Sequence, residues 1–108
     1  MNFRDEIYQI TKKYPNRIPI ICERLKNSDN DCPPIDKNKF LVPFEFTIGQ
    51  FLFTIRKRMK LPPEKAIFLF INDKIYNSSQ QLSNIYEKDK NKDGFLYITY
   101  TSENTFGY

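Results

Sequence analysis

The sequence of 108 residues contains no histidine and only two cysteines, Cys22 and Cys32. Without an imidazole it cannot form a thiol–imidazole dyad or a Ser-His-Asp triad, and two thiols alone do not make an ordinary zinc site. These absences exclude most hydrolases and metalloenzymes. No pair of titratable side chains has a spacing that demands acid–base or nucleophilic chemistry. We therefore expect no enzymatic activity, no catalytic residues and no bound metal.

Long apolar runs are also missing. No segment approaches the roughly 18 to 20 residues needed to cross a bilayer, and the N-terminal segment Met1–Glu6 lacks the apolar core of a signal peptide. These features predict a cytoplasmic protein. In that reducing compartment, and with Cys32 beside Pro33, we expect both cysteines to remain reduced thiols.

The composition is that of one folded domain, which we expect to span residues 1–108. Apolar residues make up 40% of the chain and aromatic residues 16%, which suffices for one core. The net charge of +4 is unevenly placed: 13 basic and 8 acidic residues lie through Lys65, against 4 and 5 after it. Such a field favours acidic peptides, phosphate-rich membrane surfaces or nucleic acid, and charge alone does not choose among them.

Apolar spacing predicts the elements of the first part of the chain. A short amphipathic helix is expected over Phe3–Tyr14, followed by a strand over Arg17–Arg24 and a turn-rich loop over Asn27–Asp36. A second strand is expected over Lys37–Val42 and is closed by Pro43. Because lysines and proline are residues that blunt exposed sheet edges, we place this strand at an edge.

The clearest helix start is at Thr47. Gln50 stands three residues later as a capping-box partner, and Phe46 and Phe51 are spaced for a hydrophobic staple. Apolar residues then repeat at helical spacing through Met59, and Leu61-Pro62-Pro63 ends the helix. This segment is predicted to be the main helix.

The rest of the chain predicts a strand, a short helix and a final strand. Ala66–Ile71 is apolar at all six positions, which is typical of a strand covered on both faces and therefore central or well shielded. A helix is expected from a Ser78 cap, with Gln81 three residues on, until the Asp93-Gly94 turn, followed by a strand over Phe95–Thr101. This order favours an α+β fold of the β-grasp type, a mixed four-stranded sheet around a central helix.

An RNA-binding alternative comes from the aromatic strand. Lys92–Tyr100 resembles the stacking strand of an RNA-recognition motif, whose alternate aromatics take bases. An aspartate separates the lysine from the glycine, however, and Leu96 stands where that motif needs a small residue. Too little chain follows for the helix and fourth strand of that motif. We therefore expect no nucleic-acid partner, and we expect Phe95, Tyr97 and Tyr100 to pack the sheet and line a groove.

Several contiguous blocks, in one order from about Asn16 to Gly107, resemble the ubiquitin-like autophagy modifiers of the GABARAP kind. These blocks are Asn16-Arg17-Ile18-Pro19-Ile20-Ile21-Cys22-Glu23, Leu41-Val42-Pro43, Ile55-Arg56-Lys57-Arg58, Leu61-Pro62-Pro63-Glu64-Lys65-Ala66-Ile67-Phe68, Asp93-Gly94-Phe95-Leu96-Tyr97 and Glu103-Asn104-Thr105-Phe106-Gly107. The resemblance implies a ubiquitin-like β-grasp. Only 16 residues precede Arg17, about ten fewer than in family members, so a shortened N-terminal helical extension over 1–15 is expected.

The resemblance implies a protein modifier. A cysteine protease would cut after Gly107 and remove Tyr108, and ubiquitin-style activating and conjugating enzymes would join the glycine to phosphatidylethanolamine. This covalent lipid is the only cofactor-like group expected. The lipid adduct would bring a cytoplasmic protein, expected to be monomeric in solution, to autophagosome-type membranes. Residues 102–108 would form a flexible tail, and a glycine has no Cβ to hinder narrow enzyme channels.

The resemblance also implies docking of acidic peptide motifs from cargo receptors and autophagy factors along the edge strand. Its aromatic pocket would be formed by Ile10, Pro19, Ile21, Lys39, Leu41 and Phe95. Its aliphatic pocket would be formed by Phe40, Val42, Pro43, Phe46, Phe51 and Thr54. The acidic flank of the peptide would meet Arg17, Lys37 and Arg58. Thr54 replaces a more apolar residue, so the second pocket should be more polar than usual. An unconjugated peptide-binding scaffold remains the alternative.

Overall fold

The computed structural model of the protein describes residues 3–25, 33–61 and 64–102. Predicted features at residues 27–32, Cys32 and Pro62-Pro63, and in the tail from Glu103 to Tyr108, lie outside these residues. The helices and strands, in chain order, are α1 Phe3–Lys13, β1 Arg17–Arg24, β2 Lys39–Pro43, α2 Ile48–Met59, β3 Phe68–Phe70, α3 Leu82–Asp89 and β4 Leu96–Thr101.

The four strands form one mixed sheet in the order β2-β1-β4-β3. β1 pairs with β2 in antiparallel fashion and with β4 in parallel fashion, bringing Ile20 opposite both Phe40 and Leu96. β3 pairs antiparallel with β4. This arrangement confirms the predicted α+β, ubiquitin-like β-grasp, with β2 at one edge. β2 begins two residues later than predicted and includes Pro43.

The core lies between one face of the sheet and the two later helices. Ile18, Ile20 and Cys22 of β1 share this core with Phe51 and Ile55 of α2, and all five are fully buried. Such burial of apolar area is the main stabilising contribution to the fold. Burial, assisted by the negative charge of Glu23, raises the pKa of the Cys22 thiol to about 12. The thiol is free and stays protonated at neutral pH.

The start of α2 follows the predicted capping box. The Thr47 hydroxyl accepts a hydrogen bond from the Gln50 backbone N–H at 3.2 Å, and the Gln50 side chain accepts one from the Thr47 N–H at 2.8 Å. The helix ends at Met59, because Lys60 adopts a left-handed conformation with φ of 56°. Three basic residues occupy the last turn, where the helix dipole favours cations.

The strand predicted over Ala66–Ile71 covers only Phe68–Phe70 and lies at the second edge of the sheet, not at its centre. Leu69 and Phe70 are buried, as expected, but Ala66 is exposed. Ile71 turns back to pair with Lys74. A continuous apolar run reports burial of the side chains and carries no information on how many neighbouring strands flank them.

The start of α3 differs from the prediction. Its N-cap is Gln81 and not Ser78, and no side chain caps it. Instead, the Leu82 N–H donates to the Phe46 carbonyl at 2.8 Å. Ser79 belongs to a separate turn, in which its backbone N–H donates to the Asn77 side chain. Tertiary backbone pairing with the entry of α2 thus replaces the expected local cap.

Candidate functional site

The outer edge of β2 presents backbone groups that face away from the sheet. The Cys22 N–H donates to the Asn38 carbonyl at 2.8 Å, which fixes the alternation of the antiparallel ladder. Alternate residues of β2 therefore bond to β1, whereas the N–H and C=O of Leu41 point outward. The Leu41 carbonyl accepts a long hydrogen bond, 3.4 Å, from Arg17 Nη1. Among the described strands, β2 has β1 as its one neighbour.

A cavity of about 270 Å³ opens beside this edge, between α1 and the sheet. Four of the residues predicted for the aromatic pocket line it: Ile10, Lys39, Leu41 and Phe95. Its other lining residues are Glu6, Lys37 and Phe40. The predicted Pro19 and Ile21 are buried opposite Leu41 and Lys39 in the ladder, so they lie on the same face of the sheet.

Most residues predicted for the aliphatic pocket lie on the opposite face, toward α2, whereas the alternation along β2 places Pro43 on the same face as Leu41. Phe40, Val42 and Phe51 are almost fully buried, and the rings of Phe40 and Phe51 meet edge to face with centroids 5.4 Å apart. The partly exposed members are Pro43, Phe46 and Thr54. The Thr54 hydroxyl donates to the Gln50 carbonyl at 3.1 Å, which satisfies its proton within the helix. The buried members would form the floor of a pocket and the exposed ones its rim.

A close approach at Gly94 positions α1 over the first face. A Cβ added to Gly94 would lie 2.7 Å from Ile7 Cγ2, and Gly94 has φ of 93°. Both facts require glycine at this turn. Ile10 stands one helical turn after Ile7, so the same face of α1 reaches the cavity.

Two of the predicted cationic residues, Lys37 and Arg58, lie near the ring of Phe40. Arg58 Nε lies 3.1 Å from Asp36 Oδ1, and its guanidinium also lies 6.0 Å from the Phe40 ring centroid. Lys37 Nζ lies 5.2 Å from the same centroid. Both cations thus lie close to the Phe40 ring, and both side chains remain accessible to solvent.

Glu6, which the resemblance carries over beside Ile10 but outside the two predicted pockets, is part of the site. Glu6 lines the cavity and its carboxylate lies 2.9 Å from Lys39 Nζ. The signal for it in the sequence is its position four residues before Ile10, on the same helix face. The Glu6 carboxylate thus neutralises part of the positive charge that the sequence predicts beside the β2 edge.

The aromatic residues of the predicted final strand are not available for base stacking, and the strand itself begins one residue later than predicted, at Leu96. Phe95 and Tyr100 are 1% and 0% exposed. The Tyr97 hydroxyl donates to Asp93, and burial together with this hydrogen bond raises the pKa of Tyr97 to about 12. Phe95 lines the cavity, as predicted. The geometry thus argues against the RNA-binding alternative.

Within residues 3–25, 33–61 and 64–102, no three His, Cys, Asp or Glu side chains cluster as metal ligands do. In the same ranges, the helices are too short or too polar to cross a bilayer. Gly107 and Tyr108, the predicted processing site, lie outside the described residues.

The chain is similar to one family of known proteins over nearly its whole length. The family described as "Autophagy protein Atg8 ubiquitin like" matches residues 2–107. Autophagy-related protein 8 of Candida glabrata is 53% identical over 95% of this chain and 86% of its own length. Autophagy-related protein 8 of Schizosaccharomyces pombe is 54% identical over 96% of this chain and 84% of its own length.

A solved structure shows the same fold. The crystal structure of Trypanosoma brucei ATG8 superposes with a TM-score of 0.87 at 43% identity, covering 99% of this chain and 93% of that one. The sequence resemblance and the fold lead to the same assignment. This chain belongs to the Atg8 family of ubiquitin-like autophagy proteins.

Proposed function

We propose that this protein is a modifier that is cut after Gly107, joined to phosphatidylethanolamine on autophagosome-type membranes, and used there to dock acidic peptides of cargo receptors. The observation that carries the docking proposal is the outer-edge position of β2 beside the lined cavity. Processing and conjugation are supported by the family match, which extends to residue 107. A processing cysteine protease and ubiquitin-style activating and conjugating enzymes are the partners that this role requires.

An added strand is the natural occupant of the β2 edge. Leu41 offers an outward N–H and C=O, so a partner in extended conformation could continue the sheet. Arg17 would release the Leu41 carbonyl to the incoming N–H, at small cost because its hydrogen bond is long.

Apart from Pro43, the two groups of predicted pocket residues lie on opposite faces of the sheet. Side chains of an extended strand alternate between faces. A docked strand would therefore place an aromatic anchor at the Ile10 and Leu41 side and an aliphatic anchor at the Phe46 and Thr54 side, an odd number of residues apart. Lys37 and Arg58 would meet the acidic flank of that strand.

The alternative, an unconjugated peptide-binding scaffold, is distinguished by lipidation. The protein would be incubated with a family protease, the activating and conjugating enzymes, ATP and vesicles containing phosphatidylethanolamine, and its intact mass measured. We expect the loss of Tyr108 and the gain of one lipid. Gly107→Ala should fold normally and acquire no lipid, and a lipidated Gly107→Ala variant would refute the tail assignment. An unprocessed wild-type protein would favour the scaffold.

Docking is tested separately by nuclear magnetic resonance. An acidic peptide with an aromatic and an aliphatic anchor should shift the resonances of Lys39, Leu41 and Thr54. Shifts confined to α3 would show that the peptide binds elsewhere. Charge reversal by Lys37→Glu should weaken binding, whereas Lys88→Glu, on the exposed surface of α3, should have little effect.

A further inference from the structure

Glu6 of α1 and Lys39 of β2 form an ion pair at the cavity. Lys39 Nζ lies 3.0 Å from Glu6 Oε1 and 2.9 Å from Oε2. The Glu6 side chain is 28% exposed and the Lys39 side chain is 44% exposed. Both residues line the cavity beside the β2 edge. The protein therefore brings a carboxylate of its own to a cation of the docking site.

We propose that Glu6 is an internal competitor of acidic partners: its carboxylate holds Lys39 in the free protein and has to release it when an acidic peptide docks. This inference rests on the proposed docking function and describes how the same site is regulated. Lys39 then meets the acidic flank in addition to Lys37 and Arg58, and the incoming carboxylate replaces an existing one there. Docking is then selective for partners with enough negative charge to displace Glu6, and weakly acidic peptides are disfavoured.

The attachment of α1 makes Glu6 an effective competitor. Ile7, the next residue, packs against Gly94, and Ile10 lines the same cavity. These contacts hold Glu6 close to Lys39 before the ion pair forms, so the pair gives up little conformational freedom. A free carboxylate in solution has no such advantage.

The ion pair between Arg58 and Asp36 is weaker than the pair between Lys39 and Glu6, both in the number of contacting oxygens and in its exposure to solvent. Asp36 contacts Arg58 through one oxygen at 3.1 Å, and its side chain is 70% exposed. Solvent screens such a pair strongly. An acidic partner thus displaces Asp36 from Arg58 more easily than Glu6 from Lys39. Glu6 is therefore the residue that determines how much negative charge a partner needs for docking.

The test measures peptide binding by calorimetry at low and at physiological salt. Wild type, Glu6→Gln and Glu87→Gln would be compared. The glutamine at position 6 preserves side-chain length and helix propensity, and Glu87, exposed on α3, gives the same change in net charge away from the groove. Two peptides share the anchors: one has an acidic flank, and in the other each flanking carboxylate is replaced by its amide. Circular dichroism would confirm that the total helix content is unchanged in each variant, and hydrogen exchange of the α1 amides would confirm that α1 is intact.

We expect Glu6→Gln to bind the acidic peptide about two- to fivefold more tightly than wild type, which is the range an exposed ion pair supplies. The gain should shrink at higher salt and be small for the amide peptide. Unchanged or weaker binding, or an equal gain in Glu87→Gln, would overturn the competition by Glu6. If neither wild type nor Glu6→Gln binds the acidic peptide, docking itself is refuted, and the competition with it.

Discussion

Gly94 and Ile7 lie so close that a single added methyl group on Gly94 would come within 2.7 Å of Ile7 Cγ2. This contact joins the turn before β4 to α1, and α1 in turn supplies Glu6 and Ile10 to the cavity. A backbone turn far from the β2 edge in sequence thus determines the position of one wall of the candidate docking site.

Gly94→Ala should destabilise the protein and loosen α1. The positive φ of 93° strains any residue with a Cβ, at a cost of about 1–3 kcal/mol, and the contact with Ile7 adds to it. Urea unfolding gives the stability, and hydrogen exchange of the α1 amides reports the helix. In an Ile7→Ala background the steric contact is absent and only the backbone strain remains. Gly94→Ala should therefore lower the free energy of unfolding less in that background than in the wild type. A fully stable Gly94→Ala would contradict the close approach.

The two predicted helix starts should respond differently to mutation. Thr47→Ala removes a side-chain cap that is present at α2 and should lower the free energy of unfolding by about 1 kcal/mol. Ser78→Ala keeps the Cβ and touches no cap of α3, so it should cost less than about 0.5 kcal/mol. Equal losses in the two variants, measured by urea unfolding, would mean that Ser78 has a capping role after all.

Asp89 should make stability depend on pH in the acid range. Burial alone would raise the pKa of this carboxyl, but hydrogen bonds from Tyr76 and Asn72 and the charge of Lys74 lower it below the ordinary value of 3.8. Because the folded pKa is the lower one, the carboxylate contributes stability that is present above the ordinary pKa and lost as pH falls through the folded pKa.

Asp89→Asn should therefore be less stable than wild type at pH 7, by about 1–2 kcal/mol. The difference should narrow as the pH falls below about 4, because the Asp89 carboxylate of the unfolded chain then begins to take up a proton, whereas that of the folded protein does so only at a lower pH. Asp73→Asn is the matched control, because it removes an exposed carboxylate from the neighbouring turn at a position with φ of 64°, which asparagine tolerates. Thermal unfolding between pH 3 and 7 measures all three proteins, and a constant difference across this range would argue against a lowered pKa of Asp89 in the folded protein.

Local signals in the sequence predicted most of the fold. The Thr47 cap and the lysines of the β2 edge depend on neighbours a few residues apart, so both predictions were confirmed. The edge position of β3 and the start of α3 at Gln81 depend on pairing with distant residues, as in the bond from Leu82 to Phe46. No local pattern encodes such contacts.

The candidate site was predicted mainly through resemblance. Ile10, Lys39, Leu41 and Phe95 come from three separate segments, and no spacing in the chain indicates that they meet at one cavity. The Glu6–Lys39 pair joins two of these segments. This ion pair could be found only once the position of α1 relative to the sheet was known, and the close approach of Gly94 to Ile7 determines that position.

The parallel pairing of β1 with β4, which sets Ile20 opposite Leu96, also constrains how the protein is made. During synthesis β1 leaves the ribosome early and can form its hairpin with β2, but its other flank has no neighbour until the β4 segment has been translated and released. Until then the nascent chain exposes apolar strand residues such as Ile18 and Ile20, which is a hazard for aggregation and an opportunity for chaperones. Mutations that slow the closure of this long-range pair should lower the yield of soluble protein more than the stability of the finished fold.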